Sequence, residues 1–240
     1  MLLEQAIFTS GKTRKGQGYH LVAKSPGITG DVVIALNQWC PSHSSLATDS
    51  VNAESLNFHP LTPSTFAISR TVYGGKEYSS RGGLRVATMV LVLARAEFAG
   101  YGNNPLRMAR MACALGHLRW TPTVTERLAL VELPDEEFSE STLSFDYPQG
   151  NYGRIVDRVL AGRPIALVAE SQGAGWLEGA MEELPTAQRL DFHFTTGLKW
   201  SKQRPFKFHL MNNIDEPTRL RMKSAGVDVL SVAELSSQPH

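Results

Sequence analysis

Val86 to Ala94 is the longest apolar run in the chain, nine residues broken only by Thr88. A helix needs about 20 such residues to cross a bilayer, so this run belongs inside a folded protein. Val86, Val90 and Val92 make it a strand former, and apolar side chains at odd and even positions of Leu84 to Leu93 require cover on both faces. The fold must therefore place this strand centrally in a sheet and bury it from above and below. Ser55 to Pro60 and Thr65 to Tyr73, rich in β-branched and aromatic residues, read as further strands.

The rest of the chain supplies the other parts of an α+β protein. Glu4 to Ser10 and Gln17 to Lys24 are strand-like runs joined by a basic tip, Gly11-Lys12-Thr13-Arg14-Lys15-Gly16, which predicts a hairpin. Thr29 is placed to cap a helix with Asp31 in its first turn and Val32, Val33, Leu36 and Trp39 as its apolar stripe, ended by Pro41. Ser42 to Glu54 is a polar loop. Asn104-Pro105 is a cap and first-turn pair, and Met108, Met111, Ala112 and Leu115 follow at i, i+3, i+4 and i+7, a pattern that puts Cys113 in the core.

Downstream, strand Arg127 to Leu133, helix Tyr152 to Ala161, strand Ile165 to Ala169 and helix Gly175 to Leu184 alternate. Asp191 to Thr195 and Phe206 to Leu210 alternate apolar with polar around the basic turn Lys199-Trp200-Ser201-Lys202-Gln203-Arg204, predicting a second hairpin with His193 and His209 as a cross-strand pair on an exposed face. A short helix from Pro217 to Gly226 and a strand from Val227 to Val232 complete the order. The expectation is one α+β domain over residues 1–240, a mixed, largely antiparallel sheet with helices packed on it.

Charge and cysteine usage exclude several functions. Against 24 Lys and Arg stand 23 Asp and Glu, so no global field draws the chain to nucleic acid or an anionic membrane. Cys40 and Cys113 have no CxxC spacing, and the seven histidines form no HExxH or close HxH pair, so no disulfide framework, metal site or cofactor is expected. The N-terminus carries Glu4 and no basic stretch ahead of an apolar one, which makes the cytoplasm the expected compartment.

Two catalytic patterns fail in their context. Ala6 to Thr13 fits a loose phosphate loop through Gly11, Lys12 and Thr13, but Ala6 stands where the first glycine belongs, and Gly16 and Gly18 would break the helix that must begin at Lys12. Ala169-Glu170-Ser171-Gln172-Gly173 lies between a strand and a helix as a nucleophile elbow does. Its acid and base, however, would have to be Asp215 or Asp228 and the terminal His240. A nucleotide-binding protein using Lys12 and a serine hydrolase using Ser171 are the enzymatic alternatives. Phosphate-backbone binding by Lys12, Thr13, Arg14 and Lys15 with Lys199 to Arg204 is a further one.

Three segments are denser in aromatic, polar and glycine residues than a fold alone requires: Gly16 to His20 with Ser25 to Gly27, Arg70 to Gly83, and Phe194 to Phe206. Tyrosine and arginine combine apolar area with directed hydrogen bonds, so Tyr19, His20, Arg70, Tyr73, Tyr78, Arg81, Lys199, Trp200 and Arg204 are the candidate partner-binding residues. With Phe8-Thr9-Ser10, Asn104-Pro105 and Leu184-Pro185, these segments resemble the N-terminal domain, type 2, of the bacterial GTPase-associated protein family over residues 4–210. The resemblance implies an adaptor or sensor of a multi-gene conflict system acting against phage, encoded beside a GTPase and often an AAA+ ATPase. It implies no catalytic residues. With 240 residues the chain is expected to recruit its effector in trans.

Overall fold

A computed structural model describes residues 1–13, 16–77, 83–122, 125–135, 147–169 and 173–236. Among them, ten strands join in one sheet: β1 (Leu2–Thr13), β2 (Gly16–Lys24), β3 (Glu54–Pro60), β4 (Thr65–Lys76), β5 (Leu84–Ala94), β6 (Val131–Glu132), β7 (Ile165–Val168), β8 (Phe194–Thr195), β9 (Phe208–Met211) and β10 (Asp228–Ser231). Their order is β10-β7-β9-β8-β3-β4-β5-β1-β2, with β6 beside the start of β1. The apolar run is β5, an interior strand paired with β1 and β4. From β2 to β8 every pairing is antiparallel, and from β8 to β10 every pairing is parallel.

The parallel half corrects the second predicted hairpin. β8 and β9 run in the same direction, Phe194 opposite Phe208 and Thr195 opposite His209. Alternation is identical for either direction, so the pattern could not choose. The choice is made by the intervening segment, where Leu198 bridges to Leu46 and the chain recrosses the sheet before β9 begins. His209 accordingly faces Thr195, not His193, and is 3% exposed. The strand expected over Arg127 to Leu133 shortens to β6 and an isolated bridge from Arg127 to Lys24.

Among the described residues six α-helices cover the sheet: α1 (Gly30–Trp39), α2 (Pro105–Ala114), α3 (Gly153–Leu160), α4 (Gly173–Glu183), α5 (Glu216–Ser224) and α6 (Val232–Ser236). On one face Phe58, Phe66, Ile68, Met89, Leu91 and Phe208 meet Met108 of α2, Ile155 of α3 and Trp176 of α4. On the other, α1 lays Ala35 and Leu36 over Ala6, Ala67 and Val90, and Met222 of α5 packs on Ala166 and Met211. Asn104 caps α2 as expected, accepting from the N–H groups of Leu106 and Arg107. Thr29 stands at the start of α1 without a side-chain capping bond. Cys113 is exposed, because the buried stripe of α2 runs through Leu106, Met108, Ala109 and Ala112.

Between α1 and α5 the second face is polar yet buried. Asn57 accepts from Ser55 Oγ at 2.7 Å and Thr195 Oγ1 at 2.6 Å, and donates to Ser69 Oγ and Thr71 Oγ1, each at 3.3 Å. Thr71 and Thr88 share a hydroxyl bond at 3.0 Å. Thr88, the one polar interruption of the central run, thus belongs to a network spanning β8, β3, β4 and β5. Such a network stabilises only the register in which all its members are paired.

Candidate functional site

The strand registers place many connections at one end of the sheet. The β1–β2 tip lies there, as do the turn from Lys76 to Leu84, the start of β3 and the carboxyl ends of β7, β8, β9 and β10. At this end the chain leaves adjacent parallel strands toward opposite faces. β7 is followed by α4, packed in the main core, and β9 by α5, packed on the reverse face. Such a divergence opens a crevice at the carboxyl ends of the strands, the usual ligand position of parallel sheets.

A cavity of about 240 Å³ lies beside that divergence, lined by Thr48, Asn52, Glu54, Thr196, Met211 and Asn212. Its outer wall is the loop from Ser45 to Asn52, held by backbone bonds from Ala47 N–H to the Gly197 carbonyl and from Lys199 N–H to the Ser45 carbonyl, both 2.8 Å. Leu46, Leu198 and Phe206 pin it from below. Its chemistry is that of hydroxyls and carboxamides, and the Glu54 carboxylate is occupied by Arg70. Among the described residues, no three His, Cys, Asp or Glu side chains are placed to hold a metal.

The structure divides the predicted residues. Tyr73 donates its hydroxyl to the Thr48 carbonyl at 3.1 Å and to Asp49 at 3.3 Å, tying β4 to the loop. Burial, then the Asp49 carboxylate, then Tyr19 hold its phenol above the ordinary value, so it remains a donor. The Tyr19 hydroxyl accepts from Val86 N–H at 3.1 Å, and its ring stacks on Phe8. Lys199 is exposed beside the loop. Arg204 turns inward, donating to Ser45 Oγ at 2.9 Å and the Lys199 carbonyl at 3.2 Å, so the predicted basic turn keeps Lys199 and Lys202 at its surface but not its arginine.

Trp200 packs with Met211 and Met222 under α5. Arg70 points to the opposite face, paired with Glu54 and donating to the Leu118 carbonyl. His20 sits on the outer strand β2, its Nδ1 at 2.9 Å from the Gly18 carbonyl. Lys12 lies within β1 opposite Gln17, and Thr13 ends that strand. A phosphate loop needs its lysine at the start of a helix, where the backbone N–H groups converge, and no helix starts there. Arg14, Lys15, Tyr78, Arg81 and Ser171 fall outside the described residues.

A model of the family described as GTPase-associated protein 1, N-terminal domain type 2, matches residues 2–134, more than half of the chain. The chain belongs to this family. Neither the curated proteins nor the solved structures give a match. The GTPase-associated match ends within the loop after β6, so Leu184-Pro185 and Phe194 to Leu198, counted in the resemblance, stand outside it. The matched part contributes the antiparallel strands, α1 and the outer loop, and the rest of the chain contributes the parallel strands. The cavity is therefore built from both.

The loop's dependence on that seam is testable at Gly197. A Cβ there would lie 2.3 Å from the Glu54 carbonyl oxygen, a backbone atom that no side-chain rotation can move away. Gly197→Ala is expected to cost about 1–3 kcal/mol in urea unfolding and to detach the loop from β3. An unchanged midpoint would show that the contact yields freely.

Proposed function

We propose that this chain is a non-enzymatic adaptor or sensor module that binds a partner protein, in the first place a GTPase, through the loop end of its sheet. The observation that carries this reading is the meeting there of Tyr73 and Lys199, from two of the segments singled out for their aromatic and basic residues, on the polar loop from Ser45 to Asn52. Tyr73, Lys199 and the Ser45–Asn52 loop are fastened to one another. The same loop exposes Val51 at 71%, an apolar side chain amid polar neighbours. A surface of fixed backbone with one apolar residue and a lysine beside it suits protein recognition better than acid–base chemistry.

The family description supports a GTPase as that partner. A conflict system directed against phage, with an AAA+ ATPase as a further member, is the setting this reading adopts. Calorimetric titration with a GTPase of the same organism, loaded with GDP or with a non-hydrolysable GTP analogue, tests it. Saturable binding is expected to differ between the two forms, and the combined change Val51→Asp and Lys199→Glu is expected to weaken it about tenfold, or about 1.4 kcal/mol. Absence of binding in both nucleotide states ends the reading.

A further inference from the structure

The balanced charge of the whole chain hides a local imbalance. Residues 199–224 hold seven Lys and Arg against two acids, a net of +5, which leaves 17 against 21, or −4, for all other positions. Such an asymmetry marks a segment that meets a polyanion. Both acids of the segment are already engaged. Asp215 caps α5, accepting from Thr218 N–H at 2.7 Å, and Glu216 lies 3.7 Å from Arg219.

The fold gathers four of the cations on the reverse face of the sheet. Met222 of α5 is buried in a cluster with Ala166, Met211 and Val227, and Trp200 packs on that same cluster, which lays the loop from Lys199 to Lys202 alongside the helix. Arg221 and Lys223 flank Met222, each turned about 100° from it around the helix, and both are exposed, as are Lys199 and Lys202. Arg221 is oriented by donating to Thr218 Oγ1 at 2.8 Å. Among the described residues, none of these four cations enters an ion pair. The face lies wholly beyond the family-matched residues 2–134.

We propose that Lys199, Lys202, Arg221 and Lys223 form a site for the phosphate backbone of a nucleic acid, bound without regard to its base sequence. Three of the four are lysines, compact charges suited to phosphates, whereas base edges are read chiefly by bidentate Arg, Asn and Gln. A membrane surface fits less well. Helices that lie in a bilayer bury a whole apolar face, and α5 turns Met222 to the sheet, leaving Leu220, 56% exposed, as its large apolar side chain toward solvent. An acidic protein also fits less well, because protein interfaces centre on aromatic anchors and Trp200 is spent on the core beneath α5.

Fluorescence anisotropy of labelled single-stranded and duplex DNA of about 20 nucleotides, titrated with the intact chain, provides the test. Four phosphate contacts predict a slope of log affinity against log salt between about −3 and −4, hence a loss of about a hundredfold from 50 to 200 mM salt, alike for unrelated sequences. The pair Lys202→Glu and Lys223→Glu is expected to weaken binding at least tenfold, and the milder pair Lys202→Gln and Lys223→Gln to make the slope shallower by about two, with unchanged urea midpoints. Lys12→Glu, on the β1–β2 hairpin, is expected to leave binding as it was. Lys199 is kept in all these variants, so this inference and the loop-end reading of GTPase binding fail separately. No binding at 50 mM salt, a flat salt dependence, equal loss in Lys12→Glu, or tighter binding to polyglutamate or to phosphatidylserine vesicles than to DNA would each overturn the proposal.

Discussion

Acidification from pH 7 to 5 is expected to remove a large part of the folding stability of this protein, before most of its carboxylates are neutralised. His59 and His209, on the polar face of the sheet, are 4% and 3% exposed. They pack edge-on against the Phe206 ring at 5.5 and 6.0 Å. Among the described residues His209 Nδ1 has no hydrogen bond of ordinary geometry. Burial first, and then the Arg204 guanidinium among the lesser influences, pushes both imidazoles down to about 4. His193 is lowered to about 4 as well, by burial and then by Lys207 and His59.

A histidine whose folded value lies below its unfolded value of about 6.5 is protonated first in the unfolded chain. Its contribution is fully present above pH 6.5 and is lost as the pH falls toward 4. The depression corresponds to roughly 3 kcal/mol for each of His59 and His209, to be set against a typical total of about 5–15 kcal/mol. Urea unfolding at pH 7.5, 6, 5 and 4 should show the midpoint falling steeply below 6.5, and His209→Phe should flatten that fall. Equal midpoints at pH 7.5 and 5 would mean that the imidazoles charge without cost, through a water path to the cluster.

The same cluster shows what could be read from the sequence and what could not. The central strand was legible because an apolar run with no polar face has only one place in a sheet. The first hairpin and the Asn104-Pro105 helix were legible because turn and cap chemistry act over a few residues. The direction of β9 was not, since it depends on Leu198 meeting Leu46 far away in the chain. His209 carried no sign of burial, because one histidine in an alternating stretch reads as solvent-facing until the loop above it is in place.

At the candidate site, Tyr73 and Lys199 were found through residue type. Arg204 and Trp200 have the same composition signal but are consumed by packing, a distinction that only tertiary contacts make. The wall from Thr48 to Asn52 and the contribution of Asn212 had no signal, since short polar side chains in a loop look alike whether or not they line a cavity. The network around Asn57 was missed for a related reason. Each member is an ordinary strand residue, and their complementarity appears only when β3, β4, β5 and β8 are aligned.

The largest single-residue effect is expected at Arg189, which is 5% exposed in the seam between the family-matched part and the rest of the chain. Its Nε donates to the Leu184 carbonyl at 3.1 Å, Nη1 to Gly102 at 3.1 Å, and Nη2 to the Glu182 carbonyl at 3.0 Å. It thereby satisfies carbonyls at the end of α4 and after the short helical turn Arg95–Tyr101. Nη2 also reaches the Glu182 carboxylate at 3.3 Å, whose other oxygen accepts from Asn104 at 2.8 Å and Arg107 at 3.1 Å. One guanidinium therefore closes α4 and, through Glu182, fastens it to the capped start of α2. Arg189→Ala leaves Glu182 with Arg107 as its remaining arginine and strips the donor from the carbonyls of Glu182, Leu184 and Gly102, a loss of about 3 kcal/mol. Arg189→Lys should recover little of it, because an ammonium cannot reach three carbonyls arranged around a planar fork. Urea unfolding of both variants at pH 7.5 measures this. A cost below about 1 kcal/mol for the alanine variant would mean that water replaces the guanidinium and that the seam is held by its apolar contacts alone.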